Sequence, residues 1–220
     1  RLAASGAASG TAVTAEEQTA GKGRAGHSWH SEPHAGLYLT LILRPNLPSS
    51  SLPLLTLATG LAVKEAVESI VGVQADLKWP NDLLIEGRKA AGILLSFEAS
   101  AVLAGIGINV NHTRFPEALA PLATSLRLAG RRELSREPLL VRTIEAVERH
   151  AALLASHGPS AILDAFSHAS SYVLNRHVTV DLDGRTLTGL TAGLDPRGFL
   201  LLRTATGELV TILAGGVRAL

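Results

Sequence analysis

Apolar positions along the chain recur at two periods, and their changeover organises the reading. Thr11 to Ala15 alternates weakly and predicts a short strand; Leu37 to Leu43 (LYLTLIL) predicts a stronger one, stopped by Pro45 and Pro48. From Leu52 to Val71 the period becomes helical, with Leu55, Ala58, Ala62, Ala66 and Ile70 on one stripe and Gly72 placed to cap the end. Strands are then expected over Val73 to Lys78, Leu83 to Ile85, Ala90 to Phe97 and Val102 to Val110, with Glu86 to Lys89 as a hairpin turn region. Ser135 precedes a second helical stripe (Leu139, Ile144, Val147, Ala151, Leu154) closed by Gly158, and Pro159 to Tyr172 predicts a third helix. From His177 onward the period is two, with Asp-Gly, Pro-Arg-Gly and Thr-Gly turns, which predicts a small antiparallel barrel. The fold class is therefore α+β, a mixed and largely antiparallel sheet with packed helices. We divide it into residues 1–174 and 175–220.

Two segments interrupt this order. Residues 1–10 (RLAASGAASG) are mostly Ala, Ser and Gly and read as a loose lead-in. Glu16 to Gly36 carries four glycines and few apolar residues, and a loop of that length inside a compact domain is usually functional or disordered.

Composition narrows the classes. With 220 residues, 46% hydrophobic, the chain can bury one main core and a smaller second one. A net charge of +1 gives no reason to expect nucleic acid or an anionic membrane as principal partner. No run of about 18 apolar residues appears, so no membrane-spanning helix is expected. No cysteine is present, which excludes disulfides and thiolate chemistry and fits a reducing, cytoplasmic setting. The first residues lack the basic start and apolar core of a signal peptide. Because residue 1 is Arg, a fragment or a processed chain is an open reading.

Three segments carry candidate chemistry. In Glu16 to Trp29 (EEQTAGKGRAGHSW), closely spaced glycines let backbone N–H groups approach an anion, and Lys22 and Arg24 supply charge. It is not a Walker A loop, since Glu16 stands where that motif needs glycine and Gly23 where it needs Ser or Thr. In Lys78 to Leu95, Trp79-Pro80-Asn81-Asp82 makes a rigid turn with an aromatic plate, an amide and a carboxylate. Lys89 follows at a strand entrance, where it either points into a pocket or stays solvated. In Gly105 to Asn111 (GIGINVN), two glycines and two asparagines sit in an apolar strand, and glycine there often marks close approach of a ligand. His27, His30 and His34 read as pocket-rim histidines rather than as one metal site.

Taken together, GKGRAGHSW, KWPNDL, KAAGIL and GIGIN resemble, in order, the motifs of the biotin–protein ligase family, and the tail resembles that family's SH3-like C-terminal domain. The resemblance implies a class II aminoacyl-tRNA synthetase-like catalytic fold. It implies ATP-dependent activation of biotin to biotinyl-5′-adenylate, with Mg²⁺ on ATP, and transfer of biotin to a lysine of a biotin carboxyl carrier protein; it leaves room for a homodimer. Residue by residue, it implies that Gln18, Gly21, Lys22, Gly23, Arg24, Lys89, Gly92, Gly105 and Gly107 bind biotin. Trp29, Asn81 and Asn109 would bind the adenylate; Lys89, Arg24 and Asp82 would be catalytic, with Asp82 positioning metal or the incoming lysine. The sequence departs from the family at four places: it has no Ser/Thr-x-Asn segment before the loop, His27 stands where arginine is frequent, Ser96 where glutamate is, and the end, AGGVRAL, is short for the family's last strand. No helix-turn-helix is read in these residues, so a repressor role is not expected of them. The rival readings are a lipoate or octanoate transfer enzyme and a biotin-binding protein impaired in catalysis.

Overall fold

A computed structural model describes residues 1–182 and 185–220. Strands β1 (Thr11–Ala15), β2 (Gly36–Leu43), β3 (Asp76–Lys78), β4 (Asp82–Ile85), β5 (Arg88–Glu98) and β6 (Ala101–Asn109) form one sheet in the order β1-β2-β6-β5-β4-β3. The sequence led us to expect a mixed sheet, but every ladder in it is antiparallel; the parallel contact is an isolated bridge between Lys89 and Ala123.

Helices α1 (Leu52–Val71), α2 (Leu126–Gly130), α3 (Arg136–His157) and α4 (Pro159–Ala169) complete this unit. Pro53 lies in the first turn of α1, where its missing N–H costs nothing, and Gly72 ends the helix with φ 74°. Because side chains alternate across a strand, Leu37, Leu39, Leu41 and Leu43 share one face of β2, and all four are buried in the core with α1. Each such burial contributes about 1.5–3 kcal/mol before entropy is counted.

Several expected boundaries move, for physical reasons. The strand expected from Val73 begins only at Asp76, because the incoming chain is held by α1 itself: the Ala75 N–H donates to Glu68 Oε1 at 2.8 Å. The turn expected over Glu86 to Lys89 is the two residues Glu86 and Gly87, with φ 51° and 75°, a mirror-image turn suited to strand twist; Arg88 and Lys89 belong to β5. Helix α4 ends at Ala169 rather than near Tyr172, since Ser171 is drawn to β3, its N–H donating to Asp76 Oδ1 at 2.8 Å. Residues 1–10 are docked: Ala3 is buried, and the Arg44 guanidinium donates to the carbonyls of Ala3 and Ala7. Helix α2 was not expected; Ser125 caps it by accepting from the Leu128 N–H.

Strands β7 (Leu174–Leu182), β8 (Arg185–Leu194), β9 (Leu200–Thr204), β10 (Leu209–Ile212) and β11 (Gly216–Ala219) form a second antiparallel sheet, ordered β10-β9-β8-β7-β11. It has the strands expected of a small barrel, with no ladder joining β10 to β11 among the described residues. The Asp183-Gly184 turn lies outside the described residues. The two sheets are joined by a buried contact: the Trp79 indole N–H donates to the Gly198 carbonyl at 2.9 Å. Trp79, the aromatic plate of the turn, is 2% exposed and part of the core. Among the described residues, no helix is long and apolar enough to cross a membrane.

Candidate active site

The face of the first sheet turned away from α1 is built around glycine. Register pairs Gly92 with Gly107, Leu94 with Gly105 and Ser96 with Leu103, and pairs Thr40 with Gly105. Paired residues point the same way, so these side chains share one face, and the missing ones open a cleft of about 300 Å³. Gln18, Lys22, Gly23, Arg24, Trp29, Asn81, Lys89, Gly92, Gly105 and Gly107, all singled out in the sequence, line it.

Lys89 reaches this face through an irregularity. Strict alternation from Ala91 and Ile93 would turn Lys89 towards the helices. Between β4 and β5, however, Leu83 pairs with Ala91 while Leu84 pairs with Lys89, leaving Ala90 as the extra residue of a bulge. A bulge re-aims the side chains that precede it. Ala90 and Ala91 are both buried, and Lys89 emerges on the glycine face, 2.6 Å from Asp82 Oδ1. The β5 entrance is also held from outside the sheet: Lys89 N–H donates to Leu122 O at 2.8 Å, and Lys89 O accepts from Thr124 N–H at 2.9 Å. Asp82 is not among the lining residues; it stands behind Lys89 and fixes its ammonium.

The loop from Glu16 to Gly36 folds over the cleft. The Trp29 indole lies on the two floor glycines: a Cβ on Gly107 would come within 2.6 Å of its Cε2, and one on Gly92 within 2.8 Å of its Cζ3. Lys89 Nζ lies 5.4 Å from the indole centroid, within cation–π range, and the indole N–H is buried without a hydrogen-bond partner. Gly21, expected to line the pocket, sits behind Trp29 instead: its carbonyl accepts from the Trp29 N–H at 2.9 Å, and a Cβ there would meet the Trp29 carbonyl at 2.9 Å. Arg24 sits on a 3₁₀ turn closed by the His27 N–H, which donates to Arg24 O at 3.1 Å, and braced by the Gly23 N–H, which donates to His27 O at 2.7 Å. Its guanidinium reaches Asn81 Oδ1 at 3.4 Å, and burial lowers its pKa, opposed by the nearby Asp82 carboxylate.

The two asparagines take different places. Asn81 donates to the Ile93 carbonyl at 2.9 Å and presents its oxygen to Arg24. Asn109, expected at the adenylate, is 5% exposed and absent from the cleft lining, donating to the carbonyls of Thr124 at 3.1 Å and Lys89 at 3.4 Å. It supports the Lys89 backbone rather than lining the cavity. The sequence reading assigned no role to Lys78. Its ammonium lies 5.8 Å from the Tyr172 ring centroid, and burial lowers its pKa, partly offset by Asp82. Its place at the head of the KWPND turn was the available signal.

Comparison with known proteins places both parts of the chain. The family model described as "Biotin/lipoate A/B protein ligase family" matches residues 1–112, and that of the "Biotin protein ligase C terminal domain" matches residues 173–217. The chain is 38% identical over 217 residues to the "Bifunctional ligase/repressor BirA" of Bacillus spizizenii; the match covers 94% of this chain and 65% of that protein's length. It is 35% identical to the "Biotin--[acetyl-CoA-carboxylase] ligase" of Mycobacterium tuberculosis, covering 98% of this chain and 81% of that one. The crystal structure of the biotin protein ligase from Aquifex aeolicus in complex with biotin and ATP superposes with a TM-score of 0.90 at 29% identity, covering 100% of this chain and 93% of that one.

Proposed function

This chain belongs to the biotin/lipoate A/B protein ligase family, and from that premise we propose that it is a biotin–protein ligase. In this reading it joins biotin and ATP as biotinyl-5′-adenylate and passes biotin to a lysine of a biotin carboxyl carrier protein. The observation that carries the proposal is Lys89, turned by a bulge onto a glycine-floored cleft and held there by Asp82 at 2.6 Å. The names of the relatives and the biotin and ATP of the Aquifex aeolicus complex support it.

The chemistry asks for this arrangement. A carboxylate and a triphosphate repel one another, so a site must neutralise both and hold them in line. Biotin's ring would lie along Thr40, Leu94, Ser96 and Gly105, with its carboxylate directed to Lys89. The carboxylate oxygen attacks the α-phosphorus, the bond to the β-phosphate oxygen breaks, and pyrophosphate leaves. Lys89 faces the carboxylate first and then the charge that builds on the five-coordinate phosphorus. Arg24 and Lys22 neutralise the phosphates from the loop, and Asn81 orients Arg24. Trp29 covers the anhydride and keeps water from it. The carrier's lysine amine then attacks the acyl carbon, AMP leaves, and the new amide nitrogen sheds a proton.

ATP would enter as its magnesium complex. Asp82 offers a hard oxygen of the kind Mg²⁺ takes, yet it is engaged by Lys89, so the phosphates would hold most of the ion. The metal's part is to draw charge from the phosphates; positioning falls to the residues above.

The test is ATP–pyrophosphate exchange, with biotin, lipoate or octanoate as the acid, followed by transfer to a biotin carrier domain. Exchange with biotin at least a hundredfold above the other two acids is expected, followed by label on the carrier. Equal exchange with lipoate would move the chain to the lipoate branch of the family. Tight biotin binding without exchange would make it a binding protein.

A further inference from the structure

The segment that brings Trp29 over the cleft continues through His30 and Glu32 before β2 begins, and it ends against His112, just beyond β6. One ring nitrogen of His30, one of His112 and a carboxylate oxygen of Glu32 lie within 4.8 Å of one another. The residues come from regions far apart in sequence, so this juxtaposition is made by the β2–β6 pairing. The His30 and His112 ring centroids are 5.9 Å apart, inclined at 53°. Two imidazoles on one zinc-sized ion, at metal–nitrogen distances of about 2.0–2.1 Å, place their centroids roughly 5–6 Å apart.

Two features suit His112 to hold an ion. It is fully buried, and its Nδ1 has no hydrogen-bond partner. Its ring is fixed by Phe115, stacked at 5.2 Å and 10°. Tyr38 supplies the outer support expected around a metal: its hydroxyl accepts from the Glu32 N–H at 3.0 Å and donates to the Glu32 carbonyl at 3.1 Å, and it lies 3.5 Å from His112 Nε2. His27 and His34 stand apart from this group; His34 pairs with Glu16 at 3.0 Å.

We propose that His30, Glu32 and His112 bind one zinc-class divalent ion, and that this ion clips the Trp29 segment to the end of β6. Two imidazoles and one carboxylate form a nitrogen–oxygen donor set that suits zinc, cobalt and nickel better than magnesium or calcium. Three protein ligands leave a fourth position for water. The site lies outside the cleft and takes no part in the proposed transfer chemistry. Its effect is on order: tying His30 and Glu32 to His112 gives the arm carrying Arg24 and Trp29 a further anchor beside the Tyr38–Glu32 hydrogen bonds.

The experiment uses the full chain, stripped by chelation and titrated with Co²⁺ and then Zn²⁺, without biotin or ATP. One Co²⁺ per chain is expected, with visible d–d absorption of low coordination number that Zn²⁺ bleaches. Affinity should fall at least tenfold in His30→Ala and in Glu32→Gln, both half-buried positions that a folded chain tolerates, and hold in the double variant His27→Ala/His34→Ala. Absence of saturable binding, equal affinity in His30→Ala and Glu32→Gln, or loss in the His27/His34 variant would each overturn the site. Amide exchange over residues 22–32 should slow with Zn²⁺; unchanged exchange beside a filled site would overturn the clip.

Discussion

The two faces of the six-stranded sheet share one backbone and differ in what their side chains leave room for. Towards the helices, Leu37, Leu39, Leu41, Ile93, Ile106 and Ile108 are at most 5% exposed and fill the space to α1 and α3. On the other face, the same strands present Gly92, Gly105 and Gly107, and the cleft is the volume those residues decline to fill. A leucine or isoleucine forgone costs about 1.5–3 kcal/mol of burial. The helix face therefore carries the stability that lets the other face stay hollow. The site is made by omission, with a few cations placed around the gap.

The largest effects should separate the faces cleanly. Leu41→Ala is expected to cost about 2–5 kcal/mol in urea unfolding while the protein that remains folded keeps its exchange rate. Lys89→Ala should do the reverse, slowing biotin-dependent ATP–pyrophosphate exchange on the order of 10²–10³-fold with unfolding nearly unchanged. Its transfer from supplied biotinyl-adenylate should suffer less, because no bond at phosphorus forms in that step. If Lys89→Ala unfolds as readily as Leu41→Ala, the division of labour between the faces fails.

A smaller effect tests the hollow itself. Gly107→Ala places a methyl 2.6 Å from the Trp29 Cε2 position, so the indole must shift. Calorimetry should find biotin plus ATP bound roughly tenfold more weakly, about 1.4 kcal/mol, with little loss of stability. Unchanged affinity would mean that Trp29 leaves the floor before ligand arrives. The smallest effect is optical. Trp79 is buried and bonded to Gly198, so a change in tryptophan emission on adding biotin and ATP should come from Trp29 and vanish in Trp29→Phe. Persistence of the change in that variant would place the motion elsewhere.

The helix-facing side was legible in the sequence because it obeys local rules. The ends of α1 follow from Pro53 and Gly72, and the apolar strands β2 and β6 declare themselves by alternation and composition. The glycine positions of the cleft were legible only as motifs. What could not be read was phase: nothing in Lys89-Ala90-Ala91-Gly92 says that one alanine is a bulge, and without that shift Lys89 belongs to the wrong face. Asn109 looked like a ligand contact because it is polar in an apolar strand, yet its amide answers the carbonyls of Lys89 and Thr124. His112 drew no notice, since its partners His30 and Glu32 meet it only after β2 and β6 pair.

The contact between Trp79 and Gly198 bears on how the molecule would behave if cut. Gly198 sits at the tip of the β8–β9 connection with φ 86°, and a Cβ there would meet Leu57 Cδ1 at 3.0 Å and Leu54 Cδ2 at 3.3 Å. The second sheet thus reaches back as a finger whose knuckle is seated between the start of α1 and the Trp79 indole. Covalent continuity near residue 174 is then one fastening among several, beside the seated finger and the core that the two sheets share. A chain nicked there would still hold its two pieces by the seated finger, and the pieces, made separately, would carry matching halves of one plug and socket.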